Sequence, residues 1–587
     1  MSHQAIRKAE PAAEPRAEAW VRHFPDACAW DGAIEVGTIP DLLAAGVAGA
    51  KGPAFDFRGR AIGFPDFAEH VEAIAAGLIQ LGLTPDATIG LHLPNTPFHP
   101  IAFFAAARAG LRVVHLSGLD APRELAHKLG TTRARILVTT NLPGFLPVAL
   151  KLLDEGAVDI VVVGDDADWG TSSVADPLPI PARAGVMPLS ALRAAPRPAA
   201  WPVRTPSDVM LLQFTGGTTG LPKAAMLTHG NLTAAVSMYR LWTDDGDEGE
   251  ASARTVCVLP LFHIYALTTV LLRGIRGGTQ ILLRQRFDPE EIIADIEVRR
   301  ATALPGVPTM WFALLNRPGI EAVDFSSLRS CMSGGAPLPF DVMRRLSQLM
   351  GVNLAVGWGM TETAPAGTRL PRAGERRPGV IGIPLKGLSM RVVSLDDPSV
   401  EVPTGETGEI AIRGPNVFAG YFEQPDATAE AFRDGWFLTG DIGRVDENGL
   451  FDLVDRRKNM IISGGYNVYP VQIESAIYEH PSVAETIVIG VPCDYRGQAA
   501  KAFVTLKPGA ERFTLDELNA FLGSRIGRHE IPRALEFRDA LPRSPAGKLL
   551  ASVLVAQERE ATERQIVERQ AIERDAIERA KTGAPSA

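Results

Sequence analysis

Apolar residues recur at helical spacing over residues 64–82 (FPDFAEHVEAIAAGLIQLG), which predicts an amphipathic helix. Residues 111–117 (LRVVHLS) and 159–164 (DIVVVG) are short β-branched runs bounded by turn residues and predict strands. The alternation continues through 208–214, 291–298, 339–349 and 353–356, and implies an α/β body with largely parallel, buried sheets. Residues 165–206, rich in Asp, Pro and Ala, read as a long surface excursion within that body. From 406 onward the texture changes to short strands and tight turns, with Asn448-Gly449 as a hairpin signal. A compact segment follows, with helical patterns near 470–478, 515–526 and 548–555.

A chain of 587 residues exceeds what one core supports, since cores stop growing at roughly 250–300 residues. The expected fold class is α/β: a large, multi-subdomain N-terminal domain over 1–454 and a small α+β domain over 460–555, with the boundary at 455–459. Residues 556–587 form a charged tail that repeats a pentad, ATERQ-IVERQ-AIERD-AIERA. Arg564–Glu568, Arg569–Glu573 and Arg574–Glu578 stand at i,i+4 and favour helix. A five-residue period smears apolar positions around a 3.6-residue helix, so the tail reads as solvated, with an oligomerisation or partner helix as the alternative.

An apolar share of 46% with 22% charged residues indicates neither disorder nor a fibrous architecture. A net charge of −9 argues against nucleic acid as a partner. Cys28, Cys257, Cys331 and Cys493 have no disulfide-framework or zinc-ligand spacing, which points to a reducing cytoplasm. The first 25 residues mix charges without an apolar core, and no stretch reaches the ~20 apolar residues of a membrane span. No transmembrane segment is expected; peripheral membrane contact and homo-oligomerisation stay open.

The strand-like run ending at Phe214 leads into Thr215-Gly216-Gly217-Thr218-Thr219-Gly220-Leu221-Pro222-Lys223. Glycines let backbone N–H groups approach an anion, the threonine hydroxyls add donors, and Lys223 supplies charge. This is a phosphate cradle rather than a Walker A loop, because Pro222 precedes the lysine and no helix pattern starts directly after it.

The loop closely resembles the signature of the adenylate-forming superfamily, which includes acyl-CoA synthetases, luciferases and peptide-synthetase adenylation domains. Further motifs follow in that family's order: LPLFHIYA at 259–266, SGGAPL at 333–338, GWGMTET at 357–363, GWFLTGD at 435–441, VDRRKNMIISGGYNVYP at 454–470 and PRSPAGK at 542–548. The 215–223 loop with its flanks (QFTGGTTGLPKAAMLTHGNL), LPLFHIYALT and DFSSLRSCMSGGAPL resemble bacterial medium- and long-chain fatty acyl-CoA ligases.

The resemblance implies an ATP-dependent ligase that forms an acyl-adenylate and pyrophosphate, then acyl-CoA and AMP. It implies that the 215–223 loop holds the β- and γ-phosphates, that Thr361 contacts the α-phosphate, and that Glu362 helps bind Mg²⁺. Taken alone, Thr361 and Glu362 could equally cap a helix. Lys548 matches the family's catalytic lysine. Asp441 and Arg456 match the ribose-binding pair, and Gly334, Gly335, Ala336 and Pro337 match the segment lining one side of adenine. Within Gly357-Trp358-Gly359-Met360, Trp358 stands where most relatives carry the stacking Tyr, so stacking survives without the phenol hydroxyl.

His263 matches a histidine that sits beside the reacting carboxylate; as an alternative it caps the apolar helical run IYALTTVLL. An imidazole there disfavours an amino-acid substrate, for which related adenylation domains usually place an aspartate. Lys458 matches the hinge about which the small domain swings, and Gly464, Gly465 and Tyr466 match the segment then presented to the pantetheine arm of coenzyme A. Tyr265, Leu267, Gly306, Met332 and Met360 are expected near an apolar acyl pocket. Arg273 and Arg276, two to three turns beyond His263, would favour a dicarboxylate if they reached its far end, and otherwise mark an exposed helix end. A dicarboxylate or aryl acid is therefore the alternative substrate, and a carrier-protein-acylating ligase or a non-catalytic adenylate-binding protein the alternative class.

Overall fold

The computed structural model describes Trp20, Phe24, residues 33–561 and 564, except 173, 216–221, 243–251, 337, 339, 372–376, 378, 464–465, 494–495, 524 and 544–548; the side chains of 458, 462, 466, 467 and 497 are likewise outside it. The chain divides into two compact units. The first runs to Thr439 and takes in Gly443–Leu453; the second comprises Gly440–Ile442 and the chain from Val454 onward.

The first unit is built on two sheets. In the smaller, the strands Thr88–Leu91, Arg112–His115, Ile136–Thr140, Ile160–Gly164, Val186–Pro188 and Val209–Thr215 run parallel, and Lys223–Thr228 closes one edge antiparallel. Successive side chains serve opposite faces: Val113 and Val138 join one core, Val114 and Leu137 another. The predicted 64–82 helix is Phe64–Gln80, and it packs beside Phe98–Arg108. The latter (FHPIAFFAAAR) is buried from Phe98 to Ala107, as a helix apolar on all sides must be.

The larger sheet carries a parallel centre, Pro53–Phe57, Gln280–Leu283, Arg254–Cys257, Ala303–Gly306, Ser330–Ser333 and Leu354–Trp358. It continues into antiparallel strands from Thr368–Arg369 onward. The Asn448-Gly449 hairpin forms between Trp436–Val445 and Phe451–Arg456, with Asp446 Oδ1 accepting from the Asn448 and Leu450 N–H groups. The 165–206 excursion is more than surface: Val186–Pro188 is a sheet edge, and buried Asp166 pairs with Arg58 at 2.8 Å.

In the second unit Ile461–Ser463, Tyr466–Val468, Val483–Cys493 and Gly497–Leu506 form antiparallel pairs, and Ala534–Phe537 adds in parallel. Pro470–Tyr478 and Leu515–Leu522 cover one face through Ile473, Ile477, Leu518 and Leu522. Residues 551–561 are helical and bring Leu554 against Ile487, Ile489 and Phe503 on the other. The predicted 548–555 helix thus starts later and runs longer, tied by Lys501 to Glu558 at 2.7 Å. The repeat at 565–587 lies outside the described residues.

Candidate active site

The phosphate loop is the connection of a hairpin. Val209–Thr215 and Lys223–Thr228 pair antiparallel with Thr215 opposite Lys223, so both residues mark the base of the loop. Gly216, Gly217, Thr218, Thr219 and Gly220 lie outside the described residues. The outer side of Lys223–Thr228 is held by residues 419–422: the Met226 N–H donates to the Gly420 carbonyl at 2.9 Å and the Phe422 N–H to that of Ala224 at 2.8 Å.

That contact carries Tyr421 to the loop's base. The Lys223 ammonium lies 5.1 Å from the centroid of the Tyr421 ring, and the Tyr421 hydroxyl donates to Glu362 Oε1 at 3.0 Å. Burial, then the Glu362 charge, pushes the phenol's pKa up, so Tyr421 stays a donor. Glu362 is itself buried. It sits in the short 3₁₀ turn Thr361–Thr363, whose Thr363 hydroxyl accepts from the Met360 N–H at 3.0 Å. Capping is therefore done by Thr363, and the Glu362 side chain is directed to Tyr421.

The GWGMTET segment is set by close packing. A Cβ on Gly359 would lie 1.6 Å from the Pro365 carbonyl oxygen, so only glycine fits. Asn416, fully buried, donates to the Thr363 and Ala366 carbonyls at 2.6 and 2.7 Å. Gly357 and Trp358 end a strand paired to Thr368–Arg369, and the backbone N–H of buried Trp358 donates to the Thr368 hydroxyl at 3.3 Å.

His263 precedes the helical segment beginning at Ile264, and its Nδ1 accepts the Tyr265 N–H at 3.2 Å. The capping reading thus holds; in the neutral ring the proton then sits on Nε2. The loop before it is pinned by buried Asn95, which accepts from the Leu261 N–H and donates to the Leu259 carbonyl, both at 2.9 Å. Gln213 donates to the Phe262 carbonyl at 3.1 Å. Gly334 packs on Tyr265: a Cβ there would meet the ring at 2.9 Å. Gly335 has φ +79° and Ala336 is half-buried, while Pro337 lies outside the described residues. Arg276 pairs with Glu35 at 3.0 Å, and Arg273 is half-buried beside a cavity.

In the second unit Arg456 Nε is 2.9 Å from Asp441 Oδ1, and Asp441 is buried. Neighbouring Asp455 accepts from the N–H groups of Arg456 at 2.6 Å and Val471 at 2.9 Å. Burial nevertheless pushes its pKa up to about 6. Lys458 belongs to the turn Arg457–Asn459 and Tyr466 to a strand; their side chains, and all of Gly464, Gly465 and Lys548, lie outside the described residues.

The sequence motifs name Lys223, Glu362, Asp441 and Arg456 and do not point to Tyr421, Asn416 and Asn95, which the structure brings to the same segments. The available signal was a turn-like GPNVFAGYF between strands, holding both Asn416 and Tyr421.

A family model described as AMP-binding enzyme matches residues 45–422, and one described as AMP-binding enzyme C-terminal domain matches 472–548. The chain belongs to the AMP-binding enzyme family. It is similar to a long-chain-fatty-acid–CoA ligase of Bacillus subtilis (strain 168), with 35% identity over 534 residues, 86% of this chain and 92% of that one. It is also similar to a feruloyl-CoA synthase of an Amycolatopsis species, with 37% identity over 497 residues, 84% and 93% of the two chains. Among solved structures, ATP-bound MatB from Rhodopseudomonas palustris matches with a TM-score of 0.76 and 29% identity, covering 88% of this chain and 98% of MatB. Among the described residues no helix is long and apolar enough to cross a membrane.

Proposed function

We propose that this family member is an AMP-forming acid–thiol ligase that converts an aliphatic carboxylic acid of the fatty-acid type to its CoA thioester. The observation that carries the reading is the Lys223–Tyr421–Glu362 arrangement, a cation and a carboxylate held together at the base of a Gly/Thr-rich loop. The likeness to long-chain-fatty-acid–CoA ligases over most of the chain supports the acyl class.

In the first half-reaction a carboxylate oxygen attacks the α-phosphorus of ATP and pyrophosphate leaves; in the second the CoA sulfur attacks the acyl carbon and AMP leaves. Both are served by positioning and charge neutralisation. The 215–223 loop and Lys223 hold the β- and γ-phosphates, and the Thr361 hydroxyl steadies the α-phosphate. His263 flanks the acid, and Lys548 spreads the developing charge. Gly334, Gly335, Ala336, Pro337 and Trp358 flank the adenine, and the Asp441–Arg456 pair takes the ribose hydroxyls. The division of the chain at Leu453 and Val454 supports a hinge just beyond it, with Lys458 as pivot and Gly464–Tyr466 serving the CoA step.

Among the described residues no cluster of three ligands forms a metal cage. A single buried carboxylate, Glu362, fits a Mg²⁺ held mainly by substrate phosphates and water, and bound there the ion would neutralise phosphate charge. Free, buried Cys257 and Cys331 accord with a reducing cytoplasm.

The test is incubation with ATP, Mg²⁺, CoA and panels of fatty, dicarboxylic and aromatic acids, following pyrophosphate and thioester. Thioester formed from aliphatic acids and nearly abolished by Lys548→Ala supports the proposal. Pyrophosphate without thioester would assign another acceptor, and neither product would overturn the enzyme reading.

A further inference from the structure

The strand Val209–Thr215, which leads into the phosphate loop, carries a polar side chain where its alternation calls for an apolar one. Leu211 serves one core of the first unit and Leu212 the other, so Gln213 faces the same core as Leu211, and it is buried there. A primary amide in such a place costs free energy unless both its ends are bonded. Gln213 is bonded at both. Its Nε2 donates to the Phe262 carbonyl at 3.1 Å, and its Oε1 lies 3.2 Å from Nδ1 of His115.

The direction of these bonds is fixed from one end. A carbonyl only accepts, so the Phe262 oxygen requires the Gln213 amino group; Oε1 then faces His115, and Nδ1 of that ring carries the proton. His115 stands beside Gln213 because Arg112–His115 pairs parallel with Val209–Thr215, Val113 level with Leu211 and Val114 with Leu212. Burial lowers the His115 pKa to about 4, and the rings of His99 and Phe103 pack beside it at 4.9 and 5.6 Å. The ring is therefore neutral at physiological pH, and its Nδ1–H is a constant donor.

The far end of this relay is the turn that carries His263. The His263 N–H donates to the Pro260 carbonyl at 3.0 Å, Asn95 holds Leu259 and Leu261, and Gln213 holds Phe262. The two anchors connect the turn to different places. Asn95 also donates to the Arg284 carbonyl at 3.2 Å, just past the Gln280–Leu283 strand of the larger sheet. Gln213 stands two residues before Thr215, the base of the phosphate loop. One amide thus spans from the peptide next to His263 to the strand that bears the loop. Adenylate formation depends on that spacing, since a misplacement of about 1 Å can cost roughly 100-fold in rate.

We propose that Gln213 is a positioning residue for adenylate formation, holding His263 in register with the phosphate loop and itself oriented by the His115 Nδ1–H. The inference rests on the acyl-CoA ligase reading and adds to it two residues to which the family resemblance assigns no role.

The experiment is a double-mutant cycle of Gln213→Met with His263→Ala, read as the single-turnover rate of pyrophosphate release from ATP and Mg²⁺ with octanoic, dodecanoic and hexadecanoic acids. Methionine keeps the length of glutamine and loses its hydrogen bonds. The expected result is a rate about tenfold or more lower in the wild-type background and within about threefold of unchanged in the His263→Ala background, because the amide acts through His263. ATP affinity of Gln213→Met by titration calorimetry stays within about threefold of wild type, which a general loss of packing would not allow. His115→Leu lowers the rate in the same direction, and His115→Asn, which again offers an N–H, restores it. Should Gln213→Met fold poorly by thermal melting, Gln213→Asn, one methylene too short to span both partners, takes its place with the same non-additivity required. Equal losses in both backgrounds, an unimpaired Gln213→Met, or His263→Ala at the wild-type rate would overturn the inference and leave the ligase reading intact. His115→Leu at the wild-type rate would overturn the part given to His115. No pyrophosphate from the wild type with any of the three acids would overturn both the inference and the reading beneath it.

Discussion

The phenol of Tyr421 donates a 3.0 Å hydrogen bond to Glu362 Oε1 while its ring faces the Lys223 ammonium. One side chain thereby holds in register a carboxylate and a cation from two distant motifs. Hydrogen bonds to charged groups contribute about 1.5–3 kcal/mol. Tyr421→Phe keeps the ring and removes the bond, so it should lower kcat/KM for ATP by roughly 10–100-fold and raise the Mg²⁺ concentration needed for half-maximal pyrophosphate release. A variant with unchanged Mg²⁺ dependence would separate Glu362 from metal binding.

Asn416 acts on the same turn from below, donating to two buried carbonyls at 2.6 and 2.7 Å. Asn416→Leu leaves both acceptors without this donor, and each such loss costs about 1–3 kcal/mol. The expected outcome is a destabilised first unit, seen as faster amide hydrogen exchange in the strands Leu354–Trp358 and Gly408–Arg413. Equal exchange in both proteins would show that other groups satisfy the turn.

The Asp441–Arg456 pair yields a test that does not depend on turnover. If it receives the ribose hydroxyls, wild type binds ATP more tightly than 2′-deoxy- or 3′-deoxy-ATP, and Asp441→Asn narrows at least one of those differences tenfold in titration calorimetry. Unaltered discrimination would make the pair purely structural. Arg456→Leu should in addition destabilise the second unit, because it removes a cation 2.9 Å from a buried carboxylate.

The second unit should also respond to pH. Burial raises Asp455 to about 6 and Glu474 to about 8, so the folded state holds protons that the unfolded chain has released. Where the folded state binds more protons, stability falls as pH rises. The stability from Asp455 is therefore full below pH ~4 and lost through about pH 6, and that from Glu474 is lost through about pH 8. Hydrogen exchange of Val483–Cys493, corrected for intrinsic rates, should show weaker protection at pH 8 than at pH 5.5, and Glu474→Gln should flatten most of that dependence. Protection that strengthens with pH would contradict the assigned directions.

The sequence by itself determined the elements and the chemistry, because both are written locally. The β-branched runs before the Gly/Thr loop, the helix at 64–82, the Asn448-Gly449 turn and the ordered motifs each depend on residues within a few positions of one another. The tertiary structure decided which distant groups meet. Glu362 acquired its partner from Tyr421, the loop at 259–263 its anchor from Asn95, and the Thr361–Thr363 turn its support from Asn416. None of these has a periodic or spacing signature, since a buried polar side chain is satisfied by whatever the fold brings within about 3 Å. The facing of Arg273 was decided in the same way. Helical spacing alone left it open to solvent or to a pocket, and the π-helical turn Leu267–Leu272 together with the packed sheet face beneath placed it beside a cavity.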